Sequence, residues 1–220
     1  MSLWVKICGN TSLADAQMAA DAGADAVGFV FAPSPRLVTP AEVAAIVPRL
    51  PEKLEKIGVF VDLDFEKIAA AVAGCGLTGV QLHGGIDASR GADLAQELRT
   101  HFGAGLRILE VIHYGPEAAA RLQEAAGNAA LDGVLVDSRT TQALGGTGVA
   151  YDWQAARAGV FAGESPLRMV AAGGLHPDNV AEAIRTLKPW GVDAVTGVEA
   201  SPGRKDAEKV RAFVEAARKA

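Results

Sequence analysis

Short apolar runs rich in β-branched residues alternate along the whole chain with Ala-rich stretches in which apolar positions return every three or four residues. Alternation of this kind builds a parallel sheet whose crossovers are helices. The runs at 3–8, 26–31, 56–61, 79–83, 107–112, 133–137, 168–172 and 192–196 read as strands. The stretches at 13–22, 40–50, 65–73, 88–101, 116–126, 151–158, 177–187 and 207–217 read as helices. About eight such units is the number that closes a (β/α)8, or TIM, barrel, whose chemistry sits on the rim formed by the carboxyl ends of the strands.

Punctuation at the element ends agrees. Thr39-Pro40 sets a capping hydroxyl before a proline suited to a first helical turn, and Gly23 and Gly74 stand where left-handed C-terminal caps are common. The longest irregular stretch, 137–150, contains Gly145-Gly146-Thr147-Gly148, and a long glycine-bearing loop in a compact domain is more often functional than decorative. Side chains alternate across a strand, so Cys8 shares its face with Lys6 while Val5 and Ile7 face the helices. A lysine inside the barrel needs a carboxylate or several acceptors beside it, and Glu110 is a candidate.

Composition narrows the setting. A chain of 220 residues that is 50% hydrophobic is expected to form one domain over residues 1–220. A net charge of -5 with no Lys/Arg stripe argues against a nucleic-acid partner, though a small anion can still be held locally. Two cysteines make no disulfide framework, and no CxxC or Cys/His cluster points to zinc, so a reducing cytoplasm is expected. The amino terminus reads as no signal peptide, and no apolar run is long enough for a membrane partner. Cys75 falls towards the opposite face from Cys8. Strands of ordinary length separate the two faces by roughly 17–20 Å, beyond the reach of a disulfide, so the two are not expected to pair.

Lys6-Ile7-Cys8-Gly9, Gly28-Phe29-Val30-Phe31 with Ser34-Pro35-Arg36, Gly58-Val59-Phe60-Val61 and Gln81-Leu82-His83-Gly84 follow in order. Leu135-Val136-Asp137, Gly145-Gly146-Thr147-Gly148, Ala172-Gly173-Gly174-Leu175, Asn179-Val180 and Gly197-Val198-Glu199 with Pro202-Gly203 and Lys205-Asp206 complete the series. In this order and spacing the chain resembles the phosphoribosylanthranilate isomerase family over essentially its whole length. The resemblance implies a cofactor-independent barrel in tryptophan biosynthesis. Its reaction is the Amadori rearrangement of N-(5-phosphoribosyl)anthranilate to 1-(2-carboxyphenylamino)-1-deoxyribulose 5-phosphate. The partner implied is this phosphorylated aminosugar, with the chain itself a monomer or a homodimer.

By the same resemblance Asp137 matches the general acid and Cys8 the general base, while Arg36 matches the arginine that contacts the anthranilate carboxylate. The phosphate is expected across the barrel, on backbone N–H groups of Gly173, Gly174 and Gly197, with Gly146 a further contact and a short helix near 198–201 aimed at it. His83 takes a supporting substrate-binding role, His113 is expected to reach the same rim, and His176 to line the phosphate loop. Taken singly, each residue has a plainer reading. A strand cysteine is a small buried hydrophobe, an aspartate after a strand caps a helix, a loop arginine is solvated, and glycines serve turns. Gly85 and Thr196 depart modestly from the family pattern, and Asp62 stands where an uncharged polar residue is usual. The competing readings are another phosphosugar barrel isomerase or epimerase, a bifunctional isomerase using two carboxylates, and an inert barrel that binds a phosphorylated metabolite or a protein.

Overall fold

Eight parallel strands pair in sequence order and close on themselves in the computed structural model, which describes residues 3–83, 88–138, 151–163 and 165–220. The strands are β1 (Trp4–Ile7), β2 (Ala26–Val30), β3 (Glu55–Phe60), β4 (Gly79–Leu82), β5 (Arg107–His113), β6 (Gly133–Asp137), β7 (Arg168–Ala171) and β8 (Gly191–Ala194). Closure comes from β1 lying beside β8, with Trp4 opposite Gly191 and Lys6 opposite Asp193. The helices are α1 (Leu13–Asp21), α2 (Pro40–Ile46), α3 (Phe65–Cys75), α4 (Ala88–Phe102), α5 (Ala118–Ala126), α6 (Trp153–Ala158), α7 (Val180–Leu187) and α8 (Ala207–Lys219).

Period-two alternation divides the apolar residues into two cores. Val5, Ile7, Val27, Phe29, Ile108, Val134, Val136 and Val192 pack outwards against the helices. Trp4, Ala26, Ile57, Leu109, Val111, Leu135 and Val170 fill the barrel interior. The amino ends of the strands are floored by Trp190 stacked on Trp4 at 5.1 Å, with the Arg168 and Arg107 guanidiniums 4.9 and 5.4 Å from its ring. That floor leaves the opposite, carboxyl-end rim as the open mouth.

Several boundaries differ from the sequence reading. Helix α3 runs through Gly74 and ends at Gly76, which takes the left-handed cap at φ 68°; Gly74 is an exposed helical residue. Helix α7 begins at Val180 rather than at 177, because the Asn179 side chain folds back to accept from the His176 amide and donate to the Gly174 carbonyl. The segment 198–201 is not a helix. A 3-10 turn (Thr196–Val198) leads into strand β9 (Glu199–Ser201), which turns back into β10 (Arg204–Lys205) as an antiparallel hairpin.

Lys6 lies inside the barrel as expected, fully buried, but its partner is not Glu110. Its ammonium donates to Asp193 Oδ1 and Gln81 Oε1, both at 2.9 Å. Leu109 and Val111 face inwards from β5, so the intervening Glu110 faces out and accepts from Arg121 of α5 at 2.9 Å. No helix among the described residues is long and apolar enough to cross a membrane.

Candidate active site

A cavity of about 220 Å³ opens at the carboxyl ends of the strands. Cys8, Arg36, His83, Asp137, Gly173, Gly174 and Gly197 all line it, which brings together the described candidates for catalysis and substrate binding. Gly146 lies outside the described residues. Cys8 follows β1, its amide tied to the Ala194 carbonyl of β8 at 2.9 Å, and Asp137 ends β6. In the closed order β7 and β8 stand between them on one side, so the two groups reach the cavity from separate walls.

The thiol sits beside charge as well as apolar surface. Burial pushes the Cys8 thiol up from its ordinary value, Lys6 pulls against that, and the net direction is upwards. Lys6 itself is pulled down by burial but carried above its usual value by Asp193 and Cys8. Its ammonium can only donate, so the Gln81 carbonyl oxygen must face it and the Gln81 amide nitrogen must face His83 Nε2, 3.3 Å away. That nitrogen therefore accepts, and the His83 ring carries its proton on Nδ1. A continuous polar line, Asp193, Lys6, Gln81, His83, crosses the barrel beneath the mouth.

Arg36 does not stand as a lone loop cation. Its Nε and Nη2 donate to the two carboxylate oxygens of Glu199 at 2.8 and 2.7 Å, and Nη2 approaches Thr196 Oγ1 at 3.4 Å. Thr196, which keeps a hydroxyl at the departed position, lines the same cavity. The nominated glycines gather at one sector of the rim. A Cβ on Gly197 would lie 2.1 Å from the Leu175 carbonyl, and one on Gly173 (φ 81°) would lie 2.2 Å from Ser138 Oγ. Close packing of three loops thus requires glycine there without any ligand. Gly173, Gly174 and Gly197 line the cavity, where backbone without a Cβ permits the close approach of an anion.

His176 lines the cavity, whereas His113 packs 5.9 Å from the His83 ring and does not line it. Asp62 turns to Lys67 at 2.6 Å, away from the mouth. His101 is in the last turn of α4, against Phe65 and Phe102. Cys75 is buried, its thiol reaching the Pro40 carbonyl at 3.3 Å, and both cysteines are free. Sequence reasoning missed Gln81, Asp193, Glu199 and Lys205. The available signal was strand parity: a carboxylate at 193 and an amide at 81 fall on the inward face once Gly191 and His83 do.

The family model described as N-(5'phosphoribosyl)anthranilate (PRA) isomerase matches residues 5–216. An N-(5'-phosphoribosyl)anthranilate isomerase of Geobacter sp. (strain M21) is 42% identical over 218 residues, covering 98% of each chain. The phosphoribosyl anthranilate isomerase of Thermotoga maritima superposes with a TM-score of 0.82 at 33% identity, covering 99% of this chain and 100% of the other. A phosphoribosyl anthranilate isomerase in complex with reduced 1-(o-carboxyphenylamino)-1-deoxyribulose 5-phosphate gives 0.79 at 31% identity, covering 99% of this chain and 100% of that one. With its whole barrel matched by both sequence and shape, this chain belongs to the N-(5'-phosphoribosyl)anthranilate isomerase family.

Proposed function

We propose that this chain rearranges N-(5-phosphoribosyl)anthranilate to 1-(2-carboxyphenylamino)-1-deoxyribulose 5-phosphate, with Asp137 as general acid and Cys8 as general base. The observation that carries the reading is that these two groups, far apart in sequence, line one cavity together with Arg36, Gly173, Gly174 and Gly197. A substrate carrying both a carboxylate and a phosphate fits a mouth lined by the Arg36 guanidinium and by the backbone of Gly173, Gly174 and Gly197.

Chemistry then follows from position. Protonated Asp137 gives its proton to the furanose ring oxygen as the bond from that oxygen to C1 breaks, leaving an iminium between C1 and nitrogen. The Cys8 thiolate removes the C2 proton, and the electron pair released forms the enolamine. Its C2 hydroxyl proton is lost as C1 gains one, giving the C2 ketone. The substrate neither gains nor loses electrons overall, and after release Asp137 regains a proton and Cys8 loses one through solvent. His83, donating from Nδ1, supports the substrate from the β4 side. The closed eight-strand sheet supports one domain over 1–220, and the free thiols suit a cytoplasmic setting.

The test is to mix purified protein with freshly generated phosphoribosylanthranilate and follow loss of its fluorescence. Conversion by the wild-type chain is expected, with Asp137→Asn losing roughly 10²- to 10⁴-fold in kcat while KM stays within a few-fold. Ligand binding without conversion would instead support a binding barrel. Near-normal turnover of Asp137→Asn would remove that residue from the acid role.

A further inference from the structure

Arg36 meets a difficulty if it is to anchor a substrate carboxylate, because a carboxylate of the protein already occupies it. Glu199, with its side chain 2% exposed, takes the Nε and Nη2 hydrogens at 2.8 and 2.7 Å. A paired guanidinium is electrically neutral as a unit and ordinarily a weaker anion site. The surroundings of the pair resolve the conflict. Lys205 Nζ donates to the same Glu199 at 3.2 Å, and also to the Cys8 carbonyl at 2.5 Å and the Val195 carbonyl at 3.3 Å. Two cations therefore share one carboxylate, so Arg36 and Lys205 together exceed the charge of Glu199 by one.

The cluster is also rigid. The Gly203 amide donates to Glu199 at 3.3 Å, the Lys205 amide donates to Asp15 at 3.1 Å, and the Thr11 hydroxyl donates to the Gly203 carbonyl at 2.6 Å. The β9–β10 hairpin is thereby clamped to the start of α1. The stem of Arg36 lies across Gly9, where a Cβ would come within 2.7 Å of its Cδ. With one edge of the planar fork fixed by Glu199, the plane of the guanidinium is set, and Arg36 lines the cavity from that fixed position.

We propose that Glu199 is a positioning residue that makes Arg36 selective for a substrate carrying a carboxylate, with Lys205 supplying the charge that Glu199 would otherwise cancel. This rests on the reading of Arg36 as the carboxylate anchor. Preorganisation supplies the gain: a guanidinium already held in its fork geometry loses little freedom when a second carboxylate docks.

Charge alone and positioning demand opposite signs, which makes the inference testable. Glu199→Gln removes a negative charge, so a site working by net charge would bind the anthranilate substrate more tightly. A site working by orientation would bind it less well. The probes are N-(5-phosphoribosyl)anthranilate and its counterpart without the carboxylate, N-(5-phosphoribosyl)aniline, and the readout is the ratio of their kcat/KM values. For Glu199→Gln the ratio is expected to fall by roughly tenfold, mostly through KM of the carboxylate substrate. Glu199→Gln/Lys205→Met leaves Arg36 unoriented with the original net charge, relieves the buried imbalance that threatens folding of the single variant, and is expected to show a similar fall. An unchanged or increased ratio in both would overturn the proposal, as would equal losses on the two substrates. Arg36→Met separates the underlying reading: if it leaves the ratio at the wild-type value, Arg36 is not the anchor and the reading of that residue falls by itself.

Discussion

Lys6 sits with no solvent exposure beneath the thiol, held by Asp193 and Gln81 rather than by water. Removing one partner of such a pair strands the other, so Lys6→Met is expected to cost about 3–5 kcal/mol in denaturant unfolding, and Lys6→Met/Asp193→Asn to recover most of it. The same ammonium acts on Cys8. Burial raises the thiol and Lys6 opposes this, so alkylation of wild-type Cys8 is expected to have its pH midpoint above the ordinary 9.0. Thiolate is the reactive form, so the rate climbs with pH through that midpoint, and Lys6→Met moves the midpoint further up. A midpoint that stayed put in the variant would show that Lys6 does not govern the thiol. Cys8 was legible as a rim residue from the break in its strand. The Lys6 partner was not, because both parities of β5 are apolar around Glu110, and only the pairing register decides which face is inside.

Element ends were legible where one residue type does one job. Thr39 supplies the expected capping hydroxyl, which the structure shows as half of a capping box with Glu42, and Pro40 opens α2. They were obscure where two candidates competed, as at Gly74 and Gly76. Gly74 is exposed within α3, with nothing within 4 Å of the place a Cβ would take. Gly74→Ala is therefore expected to stabilise by about 0.5–1 kcal/mol in chemical denaturation. Lys188, by contrast, caps α7 at φ 51°, a conformation costly for a side chain, and Lys188→Gly is expected to stabilise by roughly 1 kcal/mol. Loss of stability in either variant would contradict these conformations. The strand at 199–201, where the sequence suggests a short helix near 198–201, was not legible because the Glu199 contact with Arg36 is long-range and invisible to local periodicity.

At the scale of the whole molecule, the fold was legible because eight strand-helix units leave few ways to close, and barrel closure then dictates which strand ends share the mouth. The candidate acid, base and arginine followed from the family resemblance, and the barrel brings them to one cavity. What sequence did not reveal was the supporting layer, the line from Asp193 to His83 and the clamp of Glu199 and Lys205. These are contacts between residues that only closure makes neighbours. The central claim is that the Cys8 thiolate takes the C2 proton. It is tested most directly by single-turnover fluorescence with phosphoribosylanthranilate carrying hydrogen or deuterium at C2. The wild-type chain is expected to slow measurably with deuterium, and Cys8→Ala to lose about 10²- to 10⁴-fold in rate while still binding substrate. Turnover of Cys8→Ala within a few-fold of wild type, with the isotope effect intact, would contradict it.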